Sequence, residues 1–125
     1  MPRAFAGAKW TREMTVSQNH TIIHCFHGPG AAFEGAEGLR LEKDFPDGKS
    51  DTLFLVEAGE PVPWTKPEEI PYDPSRPVPR LRGPFRDGFR ACMSDGSRRF
   101  VPYDMNQADL RALITRNGND VPPAR

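Results

Sequence analysis

The sequence predicts an α+β fold: an antiparallel sheet with a proline-rich excursion and one short C-terminal helix. Three stretches carry that expectation. TLFLVEA (residues 52–58) is a nearly unbroken apolar run, the pattern of a strand covered on both faces. GFRACMS and RRFVP flank Asp95-Gly96, a dipeptide that marks a tight β-hairpin. Leu110, Leu113 and Ile114 form an i, i+3, i+4 apolar stripe for a helix over residues 107–116.

The elements follow in chain order. Residues 1–19 show no clean period and read as a poorly ordered lead-in. HTIIHCFH, from His20, is β-branched and aromatic and suits a strand. GPGAAFEGAEG reads as a loop, LRLEK as a short strand and DFPDGKSD as a turn around Asp47-Gly48. In the hairpin, Phe89, Ala91 and Met93 fall on one face and Arg90, Cys92 and Ser94 on the other, with Phe100 of the return arm expected over the apolar face. Asn106 is a good N-cap with Asp109 three residues on, and Asn117-Gly118 closes the helix. The globular unit is expected over 20–120, with 121–125 as a frayed tail.

Composition narrows the function classes. The chain has 125 residues, enough for one domain. Its 17 basic and 17 acidic residues cancel, so no global field steers it to nucleic acid or membrane. The longest apolar stretch lies near residues 53–56, far short of the ~20 residues of a membrane span. No secretory signal is visible, so the chain as written reads as cytoplasmic if Met1 is the true start. Cys25 and Cys92 are not a C-x-x-C pair; they are free and buried, or bridged if their strands are adjacent.

Four groups of residues are candidates for chemistry. Glu57 and Glu60 flank the end of the best strand, and two carboxylates are the minimum for hydrolase acid–base work. No His, Ser or Cys arrangement accompanies them. Glu57 shares a face with Leu53 and Leu55, so its carboxylate needs a donor from the loop or an arginine. His20, His24 and His27 cannot all reach one ion from a straight strand, because His20 and His24 are ~13 Å apart and His27 faces the other way. Zinc through His24, Cys25 and His27 requires the strand to break. Asp44, Asp47 and Asp51 lack EF-hand spacing and read as turn residues. No cofactor is implied.

The fourth group is basic. Between Arg76 and Phe100 stand seven arginines against Asp87 and Asp95, with Phe85, Phe89 and Phe100 interleaved. Arg80, Arg82, Arg86, Arg90, Arg98 and Arg99 are thus candidate anion-binding residues for an acidic polymer. The alternative is a solvated arginine face paired with Glu68, Glu69 and Asp73. Neutral overall charge argues against nucleic acid as the partner.

Several stretches together resemble a bacterial family, the prepilin-like proteins catalogued as domain of unknown function 1559, which carry a C-terminal His-x9-Asp-Gly signature. They are FHGPGAAFEG, FPDGKSDTLFLVEAGEPVPWTKPEEIPYDP, GPFRDGFRACMSDGSRRF and LRALITRNG, in the family's order over roughly residues 20–120. Glu57, Glu60, Trp64, Tyr72, Asp95 and Gly96 belong to the matching runs. The resemblance implies a pilin-like, extracytoplasmic β-rich domain similar to the major pseudopilin of type II secretion. It implies no enzymatic activity, and protein partners in a secretion or surface assembly. The chain departs from the pattern twice: residues 1–19 contain no prepilin helix, and Phe85 stands where the signature histidine would be.

Residues 57–85 hold eight of the fourteen prolines. Alone, PYDP and PSRP fit the spacing of a polyproline ligand. Between the best strand and the best hairpin, with Trp64, Ile70 and Tyr72 as anchors, the run is instead expected to be an ordered excursion fixed by proline, with Trp64 buried against the sheet.

Overall fold

The computed structural model describes residues 19–118. The expected lead-in, apart from Asn19, and the expected tail lie outside the described residues. Among the described residues there are six strands: β1 (His20–His24), β2 (Phe26–His27), β3 (Leu53–Pro63), β4 (Ile70–Pro71), β5 (Gly88–Met93) and β6 (Arg98–Pro102). A 3₁₀ turn spans Lys49–Asp51, and one helix, α1, spans Gln107–Ile114. β1, β3, β5 and β6 form an antiparallel sheet in that order, and β2 pairs with β4 in parallel.

This corrects the α+β expectation. Among the described residues sheet predominates, and α1 has only eight residues. The helix supplies one wall of the core rather than a layer of its own. Leu110, Leu113 and Ile114 meet Leu53, Val56, Phe89, Met93 and Val101 there. Leu113 and Ile114 are fully buried, each worth roughly 1.5–3 kcal/mol of transfer free energy. The expected cap forms: Asp109 N–H donates to Asn106 Oδ1 at 2.8 Å. The helix ends two residues earlier than the sequence suggests, because Thr115 leaves in extended conformation to bridge Ala31 and Arg116 N–H donates to Gly30 O. LRLEK forms no strand; residues 41–43 turn, and Leu41 is exposed.

The β5–β6 hairpin forms, but in a different register from the one expected. Met93 N–H donates to Ser97 O, so the loop is three residues, Ser94 to Gly96, with Gly96 at φ +84°. Ser97 N–H donates to Asp95 Oδ1 and fixes the turn. A three-residue loop with glycine in the left-handed region shifts the return arm by one residue relative to a two-residue Asp-Gly loop. A one-residue shift exchanges the faces of a strand. Phe100 therefore lies opposite Arg90 on the open face, half exposed, while Arg99 and Val101 turn to the core side.

β3 begins as expected and runs further, through Pro63. An irregularity between Leu53 and Leu55 separates their faces: Leu53 is buried in the core, and Leu55 lies with Glu57 on the other side. β5 pairs with β3 only over Leu53 to Val56, so Pro61 and Pro63 fall where β3 has a single paired neighbour. The rest of the proline-rich run is largely exposed but anchored at intervals to β2 and α1. Ile70 N–H donates to Cys25 O and Tyr72 N–H to His27 O, both at 2.8 Å. Val78 N–H donates to Gln107 Oε1, and Arg111 donates to the carbonyls of Pro74 and Arg76. Ile70, Tyr72 and Val78 join the core. Trp64 is half buried rather than fully buried, and its N–H donates to Asn19 O.

Candidate functional site

The sheet has two unlike faces. One carries the core and α1. The other exposes a groove of ≈ 650 Å³ whose side chains include Ile23, Leu55, Glu57, Arg90, Cys92 and Phe100. Alternation along β5 and β6 places them there: Arg90 and Cys92 are paired across the ladder with Phe100 and Arg98. No described helix or strand lies across this face.

Glu57 and Arg90 organise it. Arg90 Nε and Nη2 reach Glu57 Oε2 at 2.7 and 2.6 Å. The Glu57 side chain is 11% exposed and that of Arg90 54%. The arginine is therefore the donor that the half-buried carboxylate required. The Arg90 guanidinium also lies 4.8 Å from the centre of the Phe85 ring, a cation–π contact. Phe85 in turn meets Phe100 edge to face at 6.2 Å. Phe100 lies over Gly88, where a Cβ would stand 2.7 Å from the ring. Glu60, by contrast, is exposed beyond Gly59.

Phe85 also borders a second depression, a cleft of ≈ 490 Å³ beside α1. Leu81, Phe89, Met105 and Leu110 give it an apolar lining, and Arg80, Arg82 and Arg86 lie around it. These three arginines are exposed. Tyr103 closes one side, its hydroxyl accepting from Gly83 N–H at 2.6 Å. The six candidate arginines are thus divided. Three flank the cleft, Arg90 and Arg98 stand on the open face, and Arg99 is buried. The acidic partners proposed for them lie elsewhere: Glu69 is nearest His27 at 3.7 Å, and Asp73 is with Arg76 at 3.6 Å.

The strand carrying the histidines breaks at Cys25, yet the three do not converge. His24 is buried, with Nδ1 2.8 Å from Glu68 O and Nε2 2.9 Å from Glu60 O. Its ring occupies the space that Gly59, at φ +114°, leaves by having no Cβ. His27 Nε2 is 3.4 Å from Gly35 O. Among the described residues no three His, Cys, Asp or Glu side chains gather as metal ligands. Asp44 accepts from Arg40 N–H, and Gly48 N–H donates to Phe45 O, which makes the Asp44–Asp51 stretch a turn. Cys25 and Cys92 are free: Cys25 lies in the break between β1 and β2, Cys92 is on β5, and β3 separates β1 from β5. Burial, and then the nearby Glu69 charge, push the Cys25 thiol above its ordinary value.

Two features had no signal in the sequence. The His24 clamp joins carbonyls 36 and 44 residues away. The Arg90–Phe85 stack depends on the path of the loop between them. No helix among the described residues is long and apolar enough to cross a membrane. No protein-family model, curated protein or solved structure matches the chain.

Proposed function

We propose that the chain is a non-enzymatic interaction domain of the prepilin-like kind, making protein contacts within an extracytoplasmic secretion or surface assembly. The observation that carries this reading is the sheet face that no described helix or strand covers. It offers Leu55, Cys92 and Phe100 as apolar contact area around an arginine already fixed by Glu57 and Phe85. A side chain held in place before binding loses little entropy when a partner docks, and arginine and aromatic residues are the common anchors of protein interfaces. The resemblance of residues 20–120 to prepilin-like proteins supplies the setting.

A photo-reactive amino acid at position 55 tests this in the native cell, with position 77 on the proline-rich run as control. The reading expects cross-links from position 55, and not from 77, to an envelope-associated protein that co-fractionates with the chain. Equal labelling from both positions, or recovery of the chain in the cytosolic fraction alone, contradicts it.

A second reading is favoured by one observation. The side chains of Arg80 and Arg82 make no hydrogen bond or ion pair with another described residue, and they flank a cleft with an apolar lining. That arrangement suits an acidic polymer, with Arg86 adding to the same field. Retention on heparin at low salt, lost steeply as salt rises, supports it; flow-through at low salt rejects it.

A further inference from the structure

The two edges of the four-stranded sheet are treated differently. At the β1 edge the proline-rich run folds back: His24 holds Glu68 O, and β4 pairs with β2 just beyond the end of β1. At the other edge, nothing among the described residues pairs with the outer side of β6. Edges of this kind invite another strand, and proteins normally blunt or cover them. Of the three large apolar side chains exposed among the described residues, Phe100 is on β6 and Tyr103 directly follows it.

The hydrogen-bond parity of β6 follows from its partner. Met93 N–H donates to Ser97 O, and Tyr103 N–H donates to Asp87 O. In an antiparallel ladder bonded pairs alternate. Residues 97, 99, 101 and 103 therefore turn their backbone groups toward β5, and Arg98, Phe100 and Pro102 turn theirs outward. Pro102 has no N–H, and its carbonyl already accepts from Met105 at 3.3 Å with one lone pair to spare.

We infer that β6 is a self-association edge, at which two copies of this chain pair antiparallel about a twofold axis through Phe100. On that axis Phe100 faces itself, and each copy gives and receives a backbone hydrogen bond at the centre. Arg98 N–H donates to the carbonyl of Pro102 in the second copy, so the donor that proline lacks is missing only at the two ends of the ladder. Sliding the pair by two residues, to bring Arg98 opposite Phe100, sets the two Arg98 side chains diagonally together, where like charges repel. In the register on Phe100 the two Arg98 residues are ~13 Å apart along the strands. The open faces of both copies then join across a continuous sheet of eight strands, with the Phe100 rings side by side. The contact is isologous and closes on itself, giving a dimer and no longer polymer.

Sedimentation of the full chain tests the pairing, with disulfide trapping in a Cys25→Ser, Cys92→Ser background. The expected result is a concentration-dependent dimer whose dissociation constant rises roughly tenfold or more in Phe100→Lys, about 1.4 kcal/mol. Phe100→Cys should oxidise to a linked dimer, because bonded pairs in a ladder bring Cα atoms to about 5.5 Å, within disulfide range. Arg98→Cys should not. A chain that stays monomeric at hundreds of micromolar leaves the edge to some other occupant and overturns the inference. So does a dimer that Phe100→Lys leaves intact, or one trapped from position 98 and not from 100.

Discussion

Replacing His24 with phenylalanine asks whether the proline-rich run is held in the fold or merely attached to it. The ring is buried and lies within 2.8 and 2.9 Å of two backbone carbonyls, Glu68 O and Glu60 O. A neutral imidazole donates to one of them and an imidazolium to both. Phenylalanine keeps the ring's bulk beside Gly59 and removes both nitrogens. At least one part-buried carbonyl then loses its donor, which costs about 0.5–1.5 kcal/mol. Most of that loss falls on residues 60–69, since both contacts end there. Two assays read it. The urea midpoint should fall with little change in slope. Cleavage after Glu69 by a glutamate-specific protease should accelerate by roughly tenfold for each 1.4 kcal/mol by which local opening becomes easier. An unchanged midpoint together with an unchanged cleavage rate would mean that the His24 contacts hold nothing and that the run is a loosely tethered loop.

Three further outcomes are expected. Gly28→Ala places a Cβ 1.9 Å from the Tyr72 carbonyl oxygen, so β2 and the run must separate; urea unfolding should show a loss of about 2 kcal/mol or more, because the Cβ is fixed by its own backbone and the atom it meets is backbone. Arg116 donates to Glu34 at 2.7 Å, and that bond, followed by the Gly30 N–H, holds the Glu34 carboxyl below the usual carboxylate range. A depressed folded-state value adds stability above the unfolded carboxylate value, near pH 4.3, and loses it as the pH falls toward the folded-state value. Thermal unfolding midpoints of Glu34→Gln should accordingly fall less steeply with acid than those of the wild type. A double-mutant cycle of Glu57→Gln and Arg90→Met should give a coupling of about 0.5–1 kcal/mol, small because the Arg90 side chain is half exposed.

The sequence shows some elements clearly because their determinants are local. The α1 cap is a side chain bonding three residues along, and Asn106 with Asp109 announces it. The apolar stripe of α1 and the core face of β5 likewise follow from one period each. What stayed hidden depends on register or on distant partners. One additional loop residue moved Phe100 from the apolar face to the open one, and the irregularity at Leu53–Leu55 split a pair expected to stay together. The parallel β2–β4 pairing joins segments more than forty residues apart and leaves no local trace. The helix is shorter than its local pattern suggests because Thr115 bridges to Ala31, which no helix propensity records. At the candidate site, Glu57's need for a donor was legible from its half-apolar face. The donor's identity was not, because Arg90 reaches it only through the pairing of β5 with β3.

Amide hydrogen exchange compares the two ends of the sheet in one experiment: the proline-rich run anchored to β2 beyond β1, and β6 with its outer side unpaired among the described residues. Slow exchange is expected at Ile70 and Tyr72, whose N–H groups are bonded to Cys25 O and His27 O. Fast exchange is expected at Arg98 and Phe100 in dilute solution, slowing as the protein concentration rises. Loop-like exchange at Ile70 and Tyr72, or strong protection of Arg98 and Phe100 at every concentration, would contradict this contrast.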